Sequence, residues 1–188
     1  MDANSSKLYG LVLAGGRSKR MGQDKALMVL QGRPQLDVCV ELLGTVCERV
    51  FVSTRPDQAD EPGRKKHPQI VDAFGEIGPM GGILSAMAEH PGWAWLVVAC
   101  DLPRLDASTL RHLIAHRNVS RLATAYRGHE NLPEPLCAIY EPAYFERLKE
   151  FLDQGIQCPR KAMIRSDVEL LELPDPRVLE NVNTPGDF

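Results

Sequence analysis

Residues 8–28 read LYGLVLAGGRSKRMGQDKALM. From Leu8 to Ala14 the chain is apolar, rich in β-formers and short enough for a buried strand. Gly15-Gly16 ends that run and opens a loop with Arg17, Lys19, Arg20 and Lys25, four cations in nine residues. Without a Cβ, glycine lets backbone N–H groups approach a ligand closely, and successive N–H groups form an anion-binding concavity. A solvated basic loop after an edge strand is the plainer reading, but the paired glycines favour phosphate. Neither of the two commonest phosphate-loop patterns, G-x-x-x-x-G-K-[ST] or G-x-G-x-x-G, stands here.

The whole chain sets this loop in an otherwise mildly acidic background. Its 188 residues suit a single domain over 1–188 with a sizeable core. Net charge is −3, which argues against a nonspecific nucleic-acid binder and makes the cationic loop a local feature for a small anion. The five cysteines contain no C-x-x-C pair, so neither a zinc site nor a disulfide framework is expected. No run approaches about 18 apolar residues, and the first residues lack the apolar core of a signal peptide, so a cytoplasmic protein without a membrane span is expected.

Outward from the first strand, strand-like and helix-like patterns alternate, which predicts an α/β fold with a mainly parallel sheet. Pro34 opens a helix whose apolar face is Leu36, Val40, Leu43 and Cys47. Strands are expected at 49–54, 69–72, 95–100, 122–126, 136–140 and 169–173. Helices are expected after Gly78, over 106–117 with Asp106 as a possible N-cap, from Pro142 to Gln154, and over 159–164. Residues 55–68, with three prolines and many charges, read as an exposed loop.

Asp101 directly follows WLVVAC, the run that looks most buried. Ligands of open α/β sheets bind outside the carboxyl ends of strands, where an aspartate can hold Mg²⁺ that bridges substrate phosphates. A turn or N-cap aspartate is the alternative. Asp72 and Gly78-Pro79-Met80-Gly81-Gly82 form a second constellation. Gly81 and Gly82 at a helix start would let a base or ribose lie against the backbone, while a tight turn explains Gly78 equally well. The closing NVNTP is also a good turn.

The string L-A-G-G-R-S-x-R-M-G-x-D-K-A-L resembles the opening signature of nucleotidyltransferases that join an NTP to a phosphorylated acceptor, and is most similar to that of the molybdenum cofactor guanylyltransferases. A-C-D-L-P, D-A-F-G-E-I-G-P-M-G-G, E-P-L-C-A-I-Y and N-V-N-T-P resemble later blocks of the same family in the same order. The resemblance implies a Rossmann-like three-layer α/β/α sandwich. It implies transfer of GMP from GTP-Mg²⁺ to molybdopterin-bound molybdenum, with pyrophosphate released. By residue, it implies Lys25, Arg20 and Asp101 in catalysis, and Leu13, Ala14, Gly15, Gly16, Lys25, Ser53, Asp72, Gly81, Gly82 and Asp101 around the nucleotide. Asp101 and Asn183 would hold Mg²⁺, and Pro135, Asn181 and Asn183 would face the acceptor. Ser53 or Thr54 stands where relatives tend to carry asparagine. Partners implied are the two substrates and, transiently, proteins that deliver or receive the cofactor; no nucleic acid or membrane is expected. The leucine-alanine-glycine-glycine string favours guanine over cytosine. A cytidylyltransferase, another NTP transferase on a small phosphorylated acceptor, and a nucleotide-binding regulatory domain that has lost catalysis are the alternatives.

Overall fold

The computed structural model describes residues 7–16, 24–30 and 32–180, apart from the side chains of Lys25, Leu30 and His129. Strand β1 is Leu8–Leu13. A one-turn helix at Lys25–Leu27 and the two-residue strands β2 (Val29–Leu30) and β3 (Arg33–Pro34) lead into helix α1, Gln35–Gly44. There follow β4 (Arg49–Thr54), the short helix α2 (Pro62–Lys65), β5 (Gln69–Val71), α3 (Pro79–Glu89) and β6 (Ala94–Ala99). The remainder is α4 (Ala107–Ala115), β7 (Ala123–Arg127), β8 (Pro133–Tyr140), α5 (Tyr144–Asp153), α6 (Pro159–Ile164) and β9 (Val168–Leu171).

Seven strands form one sheet in the order β5-β4-β1-β6-β8-β7-β9. Within it β1 pairs in parallel with β4 and β6, β4 with β5, and β7 with β9; only β8 runs against its neighbours β6 and β7. The sheet is thus mainly parallel, as the alternation of patterns predicts. Its register follows the side-chain period of two. Trp95 and Val97 of β6 pack in one core with residues of α3, α5 and α6, while Leu96 and Val98 pack in the other with residues of α1 and α4. Helices therefore cover both faces, and β6 is buried along its whole length, as its continuous apolar run requires. Each such aliphatic side chain, fully buried, contributes about 1.5–3 kcal/mol relative to exposure.

The segment 55–68 is not the exposed loop its composition suggests. It holds a one-turn helix at Pro56–Gln58 and the short α2, and Gln58 and Arg64 are both buried. Pro62 sits at the first helical position, and Glu61 accepts from the N–H groups of Gly63 and Arg64 at 3.0 and 3.1 Å. Among the described residues, no helix is long and apolar enough to cross a membrane.

At α4 the cap anticipated from sequence is formed: Asp106 accepts from Thr109 N–H and from the Ser108 hydroxyl, both at 2.8 Å. These bonds, that of the Thr109 backbone first, pull the Asp106 carboxyl below its ordinary value. A depressed folded pKa adds stability above the unfolded value and loses it as pH falls through the folded one. Asp106→Ala should cost about 1 kcal/mol at pH 7. In urea titrations the gap between mutant and wild type should close below about pH 4, where the unfolded carboxyl protonates.

Candidate active site at the sheet switch point

From β1 the chain builds outward through β4 and β5, then returns through α3 to place β6 on the other side of β1. The connections leave β1 in opposite directions, and the crevice this creates at the carboxyl ends is where open α/β sheets bind ligands. The strand ends are tied together here: Leu13 O accepts from Cys100 N–H at 3.4 Å, and Ala14 N–H donates to Ser53 O at 3.3 Å. A cavity of about 450 Å³ opens above them. Leu13, Ala14, Gly15 and Gly16 form one wall, Ser53, Thr54 and Arg55 the next, and Asp72, Glu76 and Gly78 with Gly82 a third. Ala99, Cys100 and Asp101 come from β6 and the turn beyond it, Leu136 from β8, and Asp24 and Ala26 close the site.

Eight of the residues singled out from sequence thus meet around one cavity: Leu13, Ala14, Gly15, Gly16, Ser53, Asp72, Gly82 and Asp101. Gly81 and Pro135 do not line it. Because β8 is antiparallel, its first residues reach the same edge of the sheet, but Leu136 faces the cavity while Pro135 is buried, its carbonyl accepting from Tyr140 Oη at 2.9 Å. Arg20, Asn181, Asn183 and the Lys25 side chain lie outside the described residues.

At the start of α3, Gly78 serves the tight turn that its sequence allows for, while Gly81 and Gly82 make room for neighbouring side chains. Gly78 has φ 69° and ψ −149°, a backbone conformation that only glycine adopts readily. A Cβ on Gly81 would lie 2.5 Å from Asp72 Oδ2, and one on Gly82 would collide with Ser53 Oγ. The space is filled by protein, and α3 packs tightly enough to fix two side chains of the cavity wall. Asp72 is further held by the Phe74 N–H, which donates to Oδ1 at 3.0 Å. Thr54 donates its hydroxyl to Gln69 Oε1 at 3.0 Å, leaving Ser53 as the hydroxyl nearer α3.

Asp101 stands in the turn after β6, half-buried, between Cys100 and Leu102. Burial pushes the Cys100 thiol far up, and pushes Cys39 to about 12 with the Asp101 charge adding to the effect. Both thiols therefore stay protonated and act as small apolar side chains. The cavity's chemistry rests on oxygen donors, with the carboxylates of Asp24, Asp72, Glu76 and Asp101 and the Arg55 guanidinium lining it.

Sequence reasoning missed the residues that reach this site from 55–65. Arg64 Nη2 donates to Ala14 O at 2.7 Å and to Asp24 Oδ2 at 2.6 Å, and Arg55 Nη1 donates to Gly15 O. The only local signal is Glu61-Pro62, an acid ahead of a proline, which marks a helix start and not a burial site.

The family described as MobA-like NTP transferase domain matches residues 10–170. The chain belongs to that family. It is a nucleotidyltransferase. Among relatives, it is 36% identical over 168 residues to the molybdenum cofactor guanylyltransferase of Xanthomonas euvesicatoria, covering 84% of each chain. It is 37% identical over 188 residues to a molybdenum cofactor biosynthesis bifunctional protein of Synechocystis; all of this chain is matched, but it spans only 54% of that protein. Among solved structures, molybdopterin-guanine dinucleotide biosynthesis protein A of Archaeoglobus fulgidus superposes with a TM-score of 0.78 over 95% of this chain and 94% of the other, at 23% identity, and shares the fold.

Proposed function

We propose that this MobA-like transferase moves GMP from GTP to the terminal phosphate of molybdenum-bound molybdopterin, giving the guanine dinucleotide cofactor and pyrophosphate. The observation that carries the reading is the cavity joining the Leu13–Gly16 backbone to the Asp101 carboxylate, in a chain 36% identical to a guanylyltransferase over most of its length.

Gly16 gives the reading a local test. Among the described residues, nothing lies within 4 Å of where its Cβ would stand. Packing against the described residues does not demand glycine there, whereas close approach of a nucleotide would. A phosphate oxygen of the acceptor forms the new bond to the α-phosphorus of GTP, and the bond to the bridging oxygen breaks, that oxygen leaving with its electron pair on pyrophosphate. The attacking oxygen is already ionised near neutral pH, so no general base is required. The chain's work is positioning and charge neutralisation. Leu13–Gly16, Ser53, Asp72 and Gly82 form the nucleotide side; Lys25 and Arg20 would neutralise the phosphates, and Asn181 and Asn183 would meet the acceptor.

The family's divalent cation fits this donor set. Mg²⁺ prefers hard oxygens and is commonly held by one or two carboxylates with substrate phosphates and water completing its shell. Asp101 is such a carboxylate, and Asn183 would supply a second oxygen. When bound, the metal neutralises phosphate charge as it builds on the transferring and leaving groups.

Calorimetry with GTP, CTP, ATP and UTP in Mg²⁺ tests the reading. GTP should bind at least about tenfold more tightly than CTP, the scale of discrimination a shaped base pocket gives. A preference for CTP would keep the reaction and change the product. Binding of none of the four would overturn the proposal.

A further inference from the structure

Arg64 is an unusual residue to bury. It lies in a proline-rich, highly charged segment, yet its side chain is only 1% exposed. Its Nη2 reaches Ala14 O at 2.7 Å and Asp24 Oδ2 at 2.6 Å, and its Nη1 reaches Glu61 Oε2 at 3.3 Å. Its Nε is buried without a partner among the described residues. Burying a guanidinium with one donor unmet costs stability, and apolar replacement of buried ion pairs is often neutral or stabilising. The arrangement is therefore poorly explained as a stabilising device.

Its contacts suggest another purpose. Ala14 and Asp24 are separated by the basic signature loop, and one guanidinium holds both. Arg55 repeats the contact one residue on, donating to Gly15 O, and is itself braced by Asp57 through paired bonds of 2.9 Å. Gln58 completes the set, accepting from Arg55 N–H at 3.3 Å and donating to Asp24 Oδ2 at 3.5 Å. Two successive carbonyls of the glycine turn are thus engaged from the 55–64 side. Fixing those carbonyls fixes the peptide planes, and hence the direction in which the following N–H groups point. The backbone leading into the helical turn Lys25–Leu27 is set by the same bonds, since Asp24 Oδ1 also accepts from Ala26 N–H at 3.1 Å.

We infer that Arg64, supported by Arg55, is a positioning residue: it clamps both ends of the signature loop so that the glycine-turn backbone and the Lys25 turn face the triphosphate in one fixed geometry. Arg64 does not line the cavity and acts through Ala14, Gly15 and Asp24. Its role depends on the nucleotide reading given above.

Lysine cannot replace it, because a single ammonium lacks the rigid fork that spans a carbonyl and a carboxylate. The test compares Arg64→Lys and Arg64→Met with wild type and with Lys65→Met. Lys65 is an exposed neighbour on the same turn, paired with Asp60 among the described residues. Asp24 is 28% exposed, so it can rehydrate when Arg64 is lost and both variants should fold. Two quantities are read well below the melting temperature: hydrogen exchange of the peptide covering 14–28 in the ligand-free protein, and the dissociation constant for GTP with Mg²⁺. Both Arg64 variants should exchange faster in that peptide and bind GTP about 10- to 100-fold more weakly, the scale of a misplaced binding group. Lys65→Met should match wild type. Wild-type exchange and affinity in the Arg64 variants would overturn the clamp while leaving the nucleotide reading intact, as would weakened binding that only tracks the unfolded fraction. A wild-type protein that binds no nucleoside triphosphate would overturn the nucleotide reading, and the role of Arg64 with it.

Discussion

Asp101→Ala should lower turnover with GTP and Mg²⁺ by about 10²- to 10³-fold, the scale of losing a group that stabilises transition-state charge. The fold should survive. Asp101 sits in a turn beyond β6, only half-buried, and lines the cavity. Loss of a half-buried polar side chain from a turn leaves both apolar cores intact, so the melting temperature should fall far less than turnover does. Because the residue is proposed to hold the cation, the Mg²⁺ concentration for half-maximal rate should also rise. Pyrophosphate release measured across a Mg²⁺ series reads both effects. Near-normal turnover in the variant would remove Asp101 from the metal site.

The opposite pattern is expected at Arg117 and Glu141. Glu141 follows β8 and Arg117 follows α4, at the edge of the sheet away from the cavity. Two bonds join them, Nε to Oε1 at 2.6 Å and Nη2 to Oε2 at 2.8 Å. Their side chains are 9% and 4% exposed, so water does little to screen the pair. Glu141→Ala removes both of these bonds and the charge that balances the buried guanidinium, and should cost about 3–5 kcal/mol. For a domain of this size that is a fall in melting temperature on the order of 10 °C. Arg117→Met combined with Glu141→Leu should recover much of the loss, because an apolar pair has no charge to desolvate. Turnover per folded molecule should stay at the wild-type level. Thermal melts of Glu141→Ala, the double variant and its two single variants, with activity normalised to folded protein, decide it; additive losses in the double variant would mean that the two residues act independently.

Together these variants separate the two demands on the chain. The cavity carries charge at strand ends, where water can reach it, and its removal is expected to cost chemistry. The far edge carries charge in the interior, where removal of one partner costs the fold.

Much of this was legible in the residues. The apolar run at 8–14, the glycine break and the position of Asp101 after a buried strand are local features, and local features are what propensity and periodicity report. The Asp106 cap is of this kind, since its partners are Ser108 and Thr109. Arg64 is the contrary case. Its partners Ala14 and Asp24 lie 50 and 40 residues away, and nothing in 55–68 encodes them. Composition gave the right average for that segment and the wrong fate for its one buried arginine. The α3 glycines were legible in part. Their small size signals close approach, and only the packing of α3 against the strand ends identifies Asp72 and Ser53 as the protein groups that approach Gly81 and Gly82.

By itself, then, the sequence determined the alternation of strands and helices, the anion-suited turn, the acid at a strand end and the family, because each is written in short-range pattern or in motif. Tertiary structure decided which residues share the cavity, that β8 turns back to bring Leu136 and not Pro135 to it, and that a buried guanidinium braces the glycine turn. Those outcomes depend on strand order and on contacts between distant parts of the chain, whose closure is set by the burial of the whole sheet between two helical layers.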